Sequence, residues 1–309
     1  MTAVGTPAAA RTRTDRTEHT APGDRTDRPR RIRLPRRPRA REIVVTLVLI
    51  PVCLVWLYPF VWMVSASLKT DDEIFGSTSL LPEEFQWDNY SRAWYEANIG
   101  PYFWNTLIVT VATVAIVTVT TAMIGYVLGR YPFPGKKLVI VCLVGTLFLP
   151  EGYTIIPVFE LVNQLGLSGS LAGIVLAESG GAHVIIILLF AGYFRQLPKE
   201  LEEAARIDGA GFLRTFWTVM LPLAKPAVAT AVILTLMRVW NSFLIPLVLT
   251  LARPDLRTLA VGVYSFEGQN LTDWSGLAAA STISLLPIVL VFLVLQRYFI
   301  EGVAGAVRG

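Results

Sequence analysis

Two cysteines and two histidines are all that this 309-residue chain offers to redox or metal chemistry. Cys53 and Cys142 lie in separate apolar runs without ligand-like spacing. Neither a disulfide framework nor a metal site is expected, and both thiols read as small buried hydrophobes. Charge is scarce too: Asp, Glu, Lys and Arg make up 16% of the chain against 53% hydrophobic residues, far from the balance of a soluble domain. A phosphate-binding loop is also missing. Gly129 to Lys137 comes nearest, but five residues separate its glycines, Lys137 stands where a magnesium-binding hydroxyl belongs, and no strand precedes it. No cofactor is therefore expected on this chain. Catalysis is poorly served: no Ser or Cys nucleophile is placed by motif near His183, which leaves an intramembrane enzyme using His183 or Glu151 without a constellation.

What the chain does contain is apolar runs. Ile43 to Ser65, Phe103 to Leu128, Leu138 to Leu161, Leu171 to Phe194, Ala227 to Leu251 and Leu277 to Phe299 are each long enough, at about 20 residues of helix, to cross hydrocarbon. Because these runs are continuous rather than alternating, and because lipid requires each segment to satisfy its own backbone, the expected fold is all-α and polytopic with six transmembrane helices. Lys and Arg fix the orientation. Arg36, Arg37, Arg39 and Arg41, then Arg130, Lys136 and Lys137, then Arg195, Lys199, Arg206, Arg214 and Lys225 mark one side, which is expected to be cytoplasmic together with both termini. The formal charge of +4 comes largely from the N-terminal tail, so it speaks for topology and anionic lipid rather than nucleic acid. Residues 1–40 have almost no aliphatic content and are expected to be disordered.

Four polar side chains fall where polarity is expensive. Counted inward from the span boundaries at 1.5 Å per residue, Glu151, His183 and Arg238 come out at roughly 15 to 22 Å depth, and Asn241 shares a helix face with Arg238. The expected arrangement pairs Glu151 with Arg238, with His183 and Asn241 in the same polar layer. Such groups line a path or pair structurally, and mid-membrane carboxylates also suit an ion-driven secondary transporter, although no internal repeat supports one.

Between the fourth and fifth runs lies a polar island. Glu203-Ala204-Ala205, three residues, Gly209, nine residues, Val219, one residue and Leu221-Pro222 follow the EAA pattern, with Val in place of Ile. The acids from Glu200 to Glu203 suit a helix start, Gly209 permits a turn, and Phe212, Phe216 and Trp217 open a second amphipathic helix that Pro222 is expected to limit. In this pattern, in Asn105-Thr106, in Trp240 to Leu247 and in the C-terminal residues from Gln296, the chain resembles carbohydrate-uptake permeases of bacterial ABC importers, of the maltose MalG type.

The resemblance implies a type I importer permease fold in the bacterial cytoplasmic membrane, with a cytoplasmic EAA coupling helix. It divides the chain into the 1–40 tail, a first span and outer loop at 41–102, a permease domain at 103–300 with the EAA loop at 195–226, and a tail at 301–309. The partners it implies are a companion permease in a heterodimer, an extracytoplasmic solute-binding protein, and two ATPase subunits that hold ATP and magnesium. Glu203, Ala204, Ala205, Asp208, Gly209, Leu221 and Pro222 inherit the ATPase coupling; Gly305, Ala306, Val307, Arg308 and Gly309 inherit a tail contact. Trp240, Asn241, Arg238, Glu151 and His183 are candidates for the translocation path of a sugar or oligosaccharide. Arg238 leaves a sugar acid or glycerol phosphate as the alternative cargo.

Overall fold

The computed structural model describes residues 40–181, 183–264, 266 and 273–306. The Arg-rich tail lies outside them, as do Val307, Arg308 and Gly309. The chain divides into two units, residues 1–53 and 54–309. Among the described residues all regular structure is helical. In order come α1 (Ala40–Ala66), α2 (Asp71–Gly76), α3 (Asp88–Ser91), α4 (Ile99–Arg130), α5 (Lys136–Gly145), α6 (Ile155–Gln164), α7 (Leu171–Ser179) and α8 (Val184–Gln196). There follow α9 (Glu200–Ile207), α10 (Phe212–Thr215), α11 (Leu221–Leu223), α12 (Lys225–Trp240), α13 (Leu244–Leu249), α14 (Leu259–Tyr264) and α15 (Trp274–Ala306).

Three helical stretches, Val44–Ala66, Ile99–Arg130 and Trp274–Val294, are long and apolar enough to cross a bilayer unbroken. The others are bent. Lys136–Phe148 meets Gly152–Gln164 at 100°, Leu171–Ser179 meets Val184–Gln196 at 56°, and Phe212–Leu223 meets Lys225–Trp240 at 83°, which makes six if each pair is one span. Pro150-Glu151-Gly152 and Ser179-Gly180-Gly181 coincide with the first two bends, as their helix-breaking composition predicts. The fifth run differs from expectation. It stops as a helix at Trp240 and resumes only as the short α13, so Asn241 to Phe243 is a second interruption rather than mid-helix. Pro222 also fails to end its segment: helix continues to Leu223, and the bend falls at Ala224, just before Pro226 takes an early position in α12.

At the centre runs α4, which packs on α7, α8, α12 and α14, while α12 packs on α15. Gly125 and Gly129 make the approach to α8 possible. A Cβ on Gly125 would lie 2.4 Å from Phe190 Cβ, and one on Gly129 would lie 2.7 Å from the Ala191 carbonyl. In hydrocarbon this closeness matters more than apolarity, because lipid tails are as apolar as leucine and only packing distinguishes a neighbouring helix. Tyr126, Phe190, Phe194, Phe216 and Met220 fill the resulting core without measurable exposure.

Candidate functional site

The polar island folds as two helices on a turn. Lys199 precedes α9, and Glu200, Glu202 and Glu203 occupy its first turn, where the helix dipole favours acid. Ala205 turns inward and is 8% exposed, whereas Glu203, Ala204, Ile207 and Asp208 face outward. Gly209 has φ +77°, a left-handed conformation that strains any other L residue except in special cases, and it releases the chain into α10. A π turn over Phe216–Met220 then brings Phe216 and Met220 into the core. Beyond the expected residues, the outer surface presents Ile207, 86% exposed, with Leu213 and Trp217. Their apolar type within a polar segment was the signal available in the sequence.

Two joints hold this segment to the end of α4. Tyr126 stacks on Phe212 at 5.3 Å between ring centroids, and Tyr131 meets the same ring at 5.7 Å. The second joint is Arg130, which sequence reasoning used only for topology. Its Nε donates to Glu202 Oε1 at 2.9 Å, Nη1 to the Leu197 and Phe194 carbonyls at 2.7 and 3.4 Å, and Nη2 to the Pro198 carbonyl at 3.2 Å. Nearby, Tyr131 holds the Arg206 guanidinium pKa above its ordinary value. A cavity of about 370 Å³ beside the joint is lined by Arg195, Lys199, Glu203 and Arg206 among others.

The polar layer forms where α7, α8 and α12 are interrupted. Glu178, 1% exposed in the last turn of α7, receives Arg238 Nη2 at 3.3 Å and the Ser242 hydroxyl at 2.5 Å. His183 adopts a left-handed φ of 37° before α8, and its Nε2 lies 3.1 Å from the Glu178 carbonyl. A carbonyl can only accept, so Nε2 carries the proton and Nδ1 is left to accept from Arg238 Nη1 at 3.3 Å. The imidazole is therefore neutral in this arrangement, and the Arg238 charge is met by Glu178.

Arg238 pairs with Glu178, a residue the depth count does not single out, and the side chain of Glu151, its expected partner, lies outside the described ones. Depth along a straight helix does not carry over to a span bent by 100° at Glu151. Trp240 is corrected as well. It is 2% exposed, donates its indole N–H to the Ser284 carbonyl at 3.0 Å and meets Phe103 edge-on, so it ties α12 to α15 instead of facing a path. Asn241 stays exposed and donates to the Met237 carbonyl at 2.7 Å. Gly305 and Ala306 end α15. Among the described residues no group of three or more His, Cys, Asp or Glu is placed to hold a metal ion.

Broken spans around a central helix, with a two-helix polar segment at one end, define a helical membrane permease. Residues 104–305 match the family described as binding-protein-dependent transport system inner membrane component, and the chain belongs to it. It is 35% identical over 253 residues to a diacetylchitobiose uptake permease of Streptomyces coelicolor, covering 81% of this chain and 82% of that one. It is 32% identical over 275 residues to a melibiose/raffinose/stachyose import permease of Bacillus subtilis, covering 88% and 99%. A crystal structure of a bacterial ABC transporter that imports the acidic polysaccharide alginate contains a chain similar at a TM-score of 0.71 and 26% identity, over 86% of this chain and all of that one.

Family membership makes this chain a non-catalytic permease subunit of an ABC importer in the inner membrane, with ATP hydrolysis on a separate chain and a solute-binding protein as partner. It sets aside the intramembrane enzyme and the ion-driven secondary transporter.

Proposed function

We propose that this chain pairs with a different companion permease to import a neutral sugar or oligosaccharide. The observation that carries the cargo class is the kind of relative matched over 82% and 99% of its own length, in both cases an oligosaccharide permease. Neutrality of the cargo is supported by the polar cluster: Glu178 meets the Arg238 charge and His183 is neutral, so the layer offers dipoles without net charge. A sugar acid or glycerol phosphate is the second reading, favoured by the 36% exposure of the Arg238 side chain and by the alginate importer.

The distribution of Lys and Arg supports a cytoplasmic location for the polar segment and both termini. There the outward face of α9, with Glu203, Ala204, Ile207 and Asp208, docks an ATPase that holds ATP and magnesium. Ala204 keeps that surface low enough for close approach, Ala205 seats the helix from its inner side, Gly209 sets the turn, Leu221-Pro222 leads into α12, and residues 305–309 add a contact. Closure of the two ATPases displaces α9, and the bundle follows as a rigid body that opens the interrupted spans to one side or the other.

Reconstitution with companion permease, ATPase and binding protein tests this reading. Uptake should require ATP and binding protein and should favour neutral over acidic sugars, and Glu203→Lys or Gly209→Pro should abolish it while the chain still inserts. Uptake by this chain alone on an ion gradient, indifferent to ATP, would overturn it.

A further inference from the structure

The residue that joins the coupling segment to the bundle lies outside the EAA pattern. Helix α8 ends at Gln196, where the last carbonyls of a helix lack intrahelical donors. Arg130, the last residue of α4, meets the chain there: its guanidinium donates to the Phe194 carbonyl in the last turn of α8 and to the Leu197 and Pro198 carbonyls just beyond it. A cation is favoured at that helix end. The remaining Nε donor is aimed at Glu202, one position before the EAA glutamate. The Arg130 and Glu202 side chains are 5% and 12% exposed, so solvent does little to loosen the pair. One planar group with five fixed donors therefore binds α4, α8 and α9 at a single point. Elsewhere α9 leans on α10 and on the Phe216–Met220 turn, which lead through the bend at Ala224 into α12.

We infer that Arg130, through Glu202, is a positioning residue for energy coupling: it conveys displacement of α9 directly to the α4–α8 pair. The inference rests on the proposed ATPase docking at α9. The two routes out of α9 differ mechanically. The route through α12 passes an 83° bend, which absorbs motion, whereas the Arg130 route ends on two helices seated against each other at Gly125 and Gly129. Displacement delivered at Arg130 therefore reaches the helix on which α7, α8, α12 and α14 pack. Lysine cannot substitute fully, because a point charge can hold Glu202 or the carbonyls but cannot keep the fork.

Glu202→Ala separates this role from helix capping, since it cuts the link to α9 and leaves the three carbonyl bonds in place. The complete transporter is purified and placed in proteoliposomes, and sugar uptake per ATP hydrolysed is measured. In assembled complexes Glu202→Ala should lower that ratio about fivefold and Arg130→Lys by less. Glu200→Ala, which removes a neighbouring exposed acid from the same turn, should leave it unchanged.

A wild-type ratio in assembled Glu202→Ala complexes, or an equal fall with Glu200→Ala, would overturn the inference. Where Glu202→Ala prevents assembly, Glu202→Gln decides: it keeps the volume and one acceptor, and a fall of about twofold supports the link while an unchanged ratio overturns it. If the wild-type complex takes up sugar without ATP, the importer reading fails instead, so the two failures are distinguishable.

Discussion

The two polar regions of this molecule use charge in opposite structural settings. At the coupling end, Arg130 and Glu202 join intact helices, and Tyr126, Tyr131 and Phe212 form an aromatic layer beside them. In the interior, Glu178, His183, Arg238 and Ser242 gather where three helices stop or restart. The first region is a joint between continuous elements and is suited to carrying displacement. The second uses side chains to hold the ends of discontinuous ones, and irregular backbone at depth is tolerated where it faces protein or a cavity. Charge near a bilayer thus serves rigidity in one place and an interruption in the other.

The comparison breaks most directly at Gly125. Gly125→Leu should force α4 from α8 and destabilise the purified transporter by roughly 3 kcal/mol, read as a lowered midpoint of thermal unfolding in detergent. A smaller loss, about 2 kcal/mol, is expected for Arg238→Ala, which leaves the buried Glu178 carboxylate without its cation. The figure sits below that of a fully buried pair because Arg238 is 36% exposed. Glu178→Gln in the Arg238→Ala background should recover much of it, and an absence of recovery would show that the two residues act separately.

Gly209→Ala keeps both regions intact and strains only the turn between α9 and α10, at a cost of about 1 kcal/mol in the same assay. The smallest effect lies outside both regions. The Arg253 hydrogen bond at 2.8 Å holds the Asp255 carboxyl below its ordinary value. A depressed folded-state value adds stability above the ordinary carboxylate range, and that stability is lost as pH falls through the folded value. Wild type should therefore converge on Asp255→Asn in unfolding midpoint below about pH 3.8 and exceed it slightly at neutral pH.

Helices were legible in the sequence because membrane spans must be apolar throughout, and the EAA segment because its glycine and alanines have local geometric reasons. Gly209 needs no distant partner to explain it. Arg130 does: its role depends on carbonyls 64 to 68 positions away and on Glu202, 72 positions away, which no local pattern encodes. Glu178 was missed as a partner of Arg238 for a related reason. Counting depth by rise per residue presumes straight spans, and the span holding Glu178 bends by 56° just beyond it, where it meets Arg238. Trp240 was misplaced because an aromatic in a signature can face the path or the core, and only the position of Ser284 on α15 decides between them.

The close seat of α8 on α4 has a temporal side. Phe190 follows Gly125 by about 65 residues, so at roughly 5–20 residues per second of synthesis the notch in α4 stays empty for several seconds. During that interval the hydroxyls along the helix would face hydrocarbon without neighbours. Thr106, Thr120 and Thr121 donate to the carbonyls of Tyr102, Ile116 and Val117 within α4 at 2.8, 2.8 and 2.6 Å. These three hydroxyls carry their partners with them through that interval, whereas those of Thr110, Thr113 and Thr118 on the same helix find no hydrogen-bond partner even in the folded chain.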